Sequence, residues 1–244
     1  MTEYLRLAFG TACVFLPGWA VMRAFGGRGA SELVAWTLGC LFVVWAVVFT
    51  VHGSIRLAAL LLGVVFVAGL AGRLLRRARP SPGAAPDSWG PALVGVVLGW
   101  AMWGVAGAVV GDGLFHEARV RKLLDFGDLH LRTVDEFRDG GLHPGYAFPL
   151  WHGFLALVSF FSGVDPGEVL RHEPSLLAPI ACAVGYEAGL AVFRSRGGGI
   201  SVLLVQIASG VFAAGHGGAW ALLAQPATAA APLRPSTSAA SRKW

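Results

Sequence analysis

Ten of the fourteen acidic residues and five of the seven histidines of this chain lie between positions 112 and 175. Asp112, His116 and Glu117 open that stretch directly after an apolar run, so carboxylate and imidazole groups meet where the chain leaves an apolar environment. A carboxylate held there can take a proton from an acceptor hydroxyl or orient it, whereas the plain alternative is a helix-end Asp in water. Arg119, Arg121 and Lys122 follow within two helical turns. Cations at that spacing can hold phosphate oxygens, such as those of a lipid-linked phosphate donor, through charge-assisted hydrogen bonds. The same three residues would equally suit a helix face turned to anionic lipid head groups.

Further along, His143-Pro144 leads into Tyr146, Phe148, Pro149, Trp151 and His152, a rigid entry to a helix with aromatic rings at head-group level. His116, His143, His152 and His172 match no HExxH or Cys/His signature. A divalent metal is compatible with this set, but no ligand spacing calls for one. Cys13, Cys40 and Cys182 all lie in apolar runs without CxxC spacing. Nucleophile-elbow, Walker and dinucleotide-binding arrangements are absent from the sequence.

The elements that must carry these groups are set by hydropathy. Only 14% of the residues are charged and mean hydropathy is +0.64, against roughly 25% charged in soluble domains. The apolar residues form long runs, and the expected fold is therefore all-α: a polytopic transmembrane helical bundle in a lipid bilayer. Six runs approach the length of a span, at 5–25, 33–51, 57–75, 91–111, 176–193 and 199–223. A seventh, 149–161, is short enough to be an interfacial helix. Arg23 and Arg28, the cluster from Arg73 to Arg79, and Arg194 and Arg196 all become cytoplasmic if 149–161 does not cross.

The organisation predicted is thus three amino-terminal transmembrane helices over 1–75, a cytoplasmic linker at 76–90, a membrane core at 91–224 with an external loop at 112–175, and a disordered tail at 225–244. Within the loop, 115–126 reads as a short helix with Val120, Leu123, Leu124 and Phe126 on one side and Arg121, Lys122 and Asp125 on the other. Glu187, inside the fifth run, must either face a polar cavity or pair with a neighbour. The formal charge of +5 sits in short Arg clusters between spans, which speaks for membrane topology and against nucleic acid.

A span ending in Gly111-Asp112-Gly113-Leu114-Phe115-His116-Glu117-Ala118-Arg119, a polar external loop, and His143-Pro144-Gly145-Tyr146-Ala147-Phe148-Pro149-Leu150-Trp151 before an interfacial helix together resemble the amino-terminal core of the C-type glycosyltransferase superfamily. The resemblance covers about residues 91–223 and rests on short motifs. It implies a multi-pass plasma (inner) membrane enzyme that moves a sugar from a polyprenyl-phosphate donor at the external face. Asp112 would match the catalytic acidic position, with His116 and Glu117 as its polar support. Arg119, Arg121, Lys122, His143, Tyr146 and His152 would bind substrate. Family members usually have fewer spans before the acidic loop and more after it, so the chain is expected to be an amino-terminal fragment, truncated or frame-altered near Pro226. The rival expectation is a non-catalytic polytopic membrane protein, transporter-like or an assembly partner.

Overall fold

The computed structural model describes residues 2–76, 87–133 and 148–213. The linker residues 77–86, the loop segment 134–147 with His143 and Tyr146, and residues 214–244 lie outside the described residues. Every regular element among those described is a helix: α1 (Thr2–Ala24), α2 (Ala30–Thr50), α3 (Ile55–Arg76), α4 (Trp89–Val105), α5 (Asp112–Asp125), α6 (Leu150–Ser162), α7 (Pro166–Phe193) and α8 (Arg196–Ala213). The chain is an all-helical membrane bundle. Of these helices, α1, α2, α3 and α7 are long and apolar enough to cross a bilayer.

Helices α1 and α2, α4 and α7, and α7 and α8 run antiparallel, whereas α1 and α3 run parallel. Gly18 of α1 meets Thr37 of α2, and Gly69 of α3 meets Ala20 of α1. On the other flank, Gly95 and Gly99 of α4 press on Ala178 and Ser175 of α7, and Gly189 of α7 meets Gly199 of α8. Small residues at these crossings let the backbones approach, which is the main source of helix attraction where lipid is as apolar as the side chains. At one end of the bundle the start of α1 touches the end of α4 through the Tyr4 and Trp103 rings, 5.1 Å apart. That end also carries α5 and the acidic start of α7. Arg23, Arg28, Arg73, Arg194 and Arg196 flank helix termini at the opposite end, the distribution associated with a cytoplasmic face.

Lipid-facing stripes are visible on the outside. Leu60, Val64 and Val67 on α3, and Leu93, Val97 and Trp100 on α4, are all exposed at i, i+4, i+7 spacing. Stripes of that kind on several helices suit hydrocarbon as solvent, not water.

Two features add to or change the expectation. The segment expected to lie in the interface, α6, is packed against α1, α2, α3, α5 and α7, and Leu155, Ala156, Leu157 and Val158 have no exposed surface. A helix apolar all round is most stable when enclosed, and small residues open the way: Gly153 sits against the Trp45 indole and Gly10 against the Val158 carbonyl. At 13 residues α6 reaches only part of the way through the bundle.

The second feature is the start of α7, at Pro166 and not at 176. Asp165 caps it by accepting from the Gly167 N–H at 2.9 Å, with Pro166 in the first turn. Pro174 and Pro179 are then accommodated inside the helix. Proline has no N–H to give, so the Ser175 carbonyl lacks its usual helical donor from Pro179. Gly99 of α4 packs directly on that carbonyl, a close approach that only a residue without Cβ permits.

Glu187 pairs with neighbours. Its carboxylate accepts from the backbone N–H groups of Ala30 and Ser31, both at 2.8 Å, and from the Ser88 hydroxyl at 2.9 Å. The N-terminus of α2, where four N–H groups have no partner in the helix, is thus capped from α7.

Candidate functional site

Gly111 precedes α5 as its N-cap, and its φ of 59° is one that a side chain disfavours. Val120 and Leu123 are fully buried, which orients the helix, while Phe126 stays on the exposed side. The consequence for the polar residues is a split into two groups.

The first group runs inward from water. The Asp112 side chain is 82% exposed and its Oδ2 lies 3.3 Å from His116 Nε2, whose side chain is 25% exposed. His116 Nδ1 in turn lies 2.9 Å from His152 Nε2 on α6, and His152 is buried at 3%. The structure therefore brings together three residues that the sequence separates by up to forty positions. Burial, followed by the nearby charges of Arg119 and His116, lowers the His152 pKa to about 4. A neutral His152 satisfies both of these contacts when its Nε2–H donates to His116 Nδ1 and His116 Nε2–H donates to Asp112. The carboxylate is then held by a histidine pair anchored in the bundle.

Arg119 belongs beside this line. It is 1% exposed and its guanidinium stands 5.8 Å from the centre of the Phe115 ring, within cation–π range. In this arrangement its guanidinium is closed to a phosphate arriving from solvent.

The second group ties α5 to the start of α7. Arg121 donates to Glu117 at 2.7 and 2.9 Å and to both oxygens of Asp165 at 2.8 and 2.9 Å. The hydrogen bonds to Glu117, then those to Asp165, raise the Arg121 pKa. Glu117, expected beside Asp112, accepts here from Arg121. Lys122 is half-buried on the same helix. Of the remaining expected binding residues, His143 and Tyr146 lie outside the described residues.

Polar contacts deeper in this end were not anticipated. Glu173 is wholly buried, with Thr11 Oγ1 2.9 and 3.1 Å from its two carboxylate oxygens. His172 stacks on Trp103 at 3.9 Å between ring centres and lies 3.3 Å from Glu168. Arg171 donates to the Ala106 carbonyl at 2.7 and 3.0 Å, closing the end of α4. An available signal was Asp165-Pro166-Gly167-Glu168, a helix-start pattern that moves Glu173 into a span.

No family model, curated protein or solved structure matches the chain. The site must be read from its own chemistry.

Proposed function

We propose that this protein is a membrane glycosyltransferase-like protein of the plasma (inner) membrane, which transfers a sugar from a polyprenyl-phosphate donor at the face bearing α5. The observation that carries this reading is the Asp112–His116–His152 line, which runs from water into a lipid-facing bundle. In the proposed step Asp112 takes the proton of an acceptor hydroxyl, whose oxygen bonds to the anomeric carbon of the sugar. The bond from that carbon to the phosphate oxygen breaks, and its electron pair leaves on polyprenyl phosphate. His116 orients the carboxylate. Lys122 would meet the donor phosphate, joined by Arg119 once donor entry opens its enclosure, while Arg121, neutralised by two carboxylates, keeps α5 against α7.

A second reading draws on a specific observation: Arg119 is enclosed and Arg121 is already paired. That suits a non-catalytic membrane component whose α5 end docks an assembly partner. The test is donor binding and turnover in neutral-lipid nanodiscs, with a panel of polyprenyl-phosphate hexoses and pentoses. Asp112→Asn is expected to bind donor like the parent and to lose turnover by about 10²–10⁴-fold. Arg119→Gln and Lys122→Gln are each expected to weaken the donor interaction by about 1.5–3 kcal/mol. Donor binding by the parent no stronger than that of empty nanodiscs would overturn the enzyme reading in favour of the second.

A further inference from the structure

The α2–α3 turn and the segment after α5 meet at the same end of the bundle, held by a hydrogen bond from the Leu129 N–H to the Gly53 carbonyl at 2.8 Å. Three metal-ligating side chains converge across this junction. His52 Nδ1 is 3.3 Å and His130 Nδ1 3.5 Å from the same oxygen, Oδ1 of Asp128. The two imidazoles face one another, with ring centres 4.9 Å apart and planes 15° from parallel. One ligand atom from each residue lies within 4.8 Å of the others.

We propose that His52, Asp128 and His130 bind one divalent first-row transition ion of the Zn2+ kind, which clamps the α2–α3 turn to the segment following α5. Two imidazoles and a carboxylate are a ligand set that Zn2+ accepts. Bonds of about 2.0–2.2 Å in a tetrahedron put ligand atoms about 3.3 Å apart, so both His–Asp separations already fit; the two imidazoles must close in, and one ring must turn out of the stack so that both in-plane lone pairs meet the ion. Three protein ligands leave a fourth position for water or a substrate group.

Two features are explained poorly by ordinary loop packing. His130 Nδ1 is sealed from solvent and makes no well-formed hydrogen bond among the described residues, since 3.5 Å to Asp128 is too long. His52 holds φ at 55°, uncommon for a residue with a side chain, at the position where its ring meets Asp128. No sequence signature flags the set, because His52 stands 76 positions before Asp128. This cluster lies beyond the carboxyl end of α5, whereas Asp112 opens that helix, about 20 Å away along its axis. It is a separate site from the Asp112 line.

The test uses the full chain in nanodiscs, purified on an affinity tag without histidine, stripped with chelator and equilibrated with Zn2+ alone. Elemental analysis should find one zinc per chain, and Co2+ in its place should give the visible absorption of a four-coordinate ion. His52→Ala and the nearly isosteric Asp128→Asn should each weaken Zn2+ binding at least tenfold, with circular dichroism and gel filtration unchanged for Asp128→Asn. His116→Ala should retain the full zinc content. Zinc no higher than in empty nanodiscs, or zinc lost with His116→Ala and kept by Asp128→Asn, would overturn the proposal.

Discussion

At the scale of single residues, the burial of His152 has a measurable sign. Its pKa is about 4 in the fold and about 6.5 when exposed, so between those values the denatured chain binds a proton that the native chain refuses. Stability therefore falls as pH drops from 6.5 toward 4 and is insensitive to this group above 6.5. A shift of that size corresponds to about 3 kcal/mol. Thermal unfolding in detergent at pH 7 and pH 5 should show a larger acid loss for the parent than for His152→Gln. Equal losses would mean that His152 is not sealed against the charge. The Asp112 test has the complementary logic, because that carboxylate faces water and its substitution should disturb chemistry while leaving the fold intact.

At the scale of helices, the instructive case is Glu187, which α7 extends to the start of α2. Glu187→Ala removes acceptors from two backbone N–H groups and one hydroxyl, and a loss of about 2–3 kcal/mol is expected. Faster amide exchange at Ala30 and Ser31, with α8 unchanged, would locate the effect; uniform exchange across the bundle would reject the capping role. The sequence made the apolar runs legible because a span needs length and hydropathy alone, and those are local properties. It made α5 legible because Val120 and Leu123 lie on one face. The enclosure of α6 was hidden, since a 13-residue apolar helix reads alike whether it lies on a membrane or inside a bundle. The start of α7 was obscured by Pro174, a residue that ends helices in water yet survives here beside a glycine-bearing neighbour. Within the candidate site, the grouping of Asp112 with His116 was read from the sequence, whereas the i, i+4 pair of Glu117 and Arg121 was available at the same spacing and was not read. Their division between His152 and Asp165 was not legible, because both partners come from distant elements.

At the scale of the whole molecule, the separation of charge sets the orientation. Arg23, Arg28, Arg73, Arg194 and Arg196 flank the helix ends opposite α5, whereas at the α5 end Arg6, Arg121 and Arg171 are engaged by backbone carbonyls or carboxylates; on that asymmetry the α5 end is expected outside the cell. In a background lacking Cys13, Cys40 and Cys182, Gly127→Cys should react with a membrane-impermeant maleimide on intact cells, and Ser195→Cys only after lysis. Both positions are exposed. The reverse pattern would invert the topology and remove the external site. The enclosure of α6 also orders synthesis. Its slot is lined by Gly10, Phe15 and Trp45, all of which leave the ribosome well before residue 150. A segment too short to be recognised as a span must wait for that slot, so a nascent chain halted before α6 displays an empty intramembrane groove.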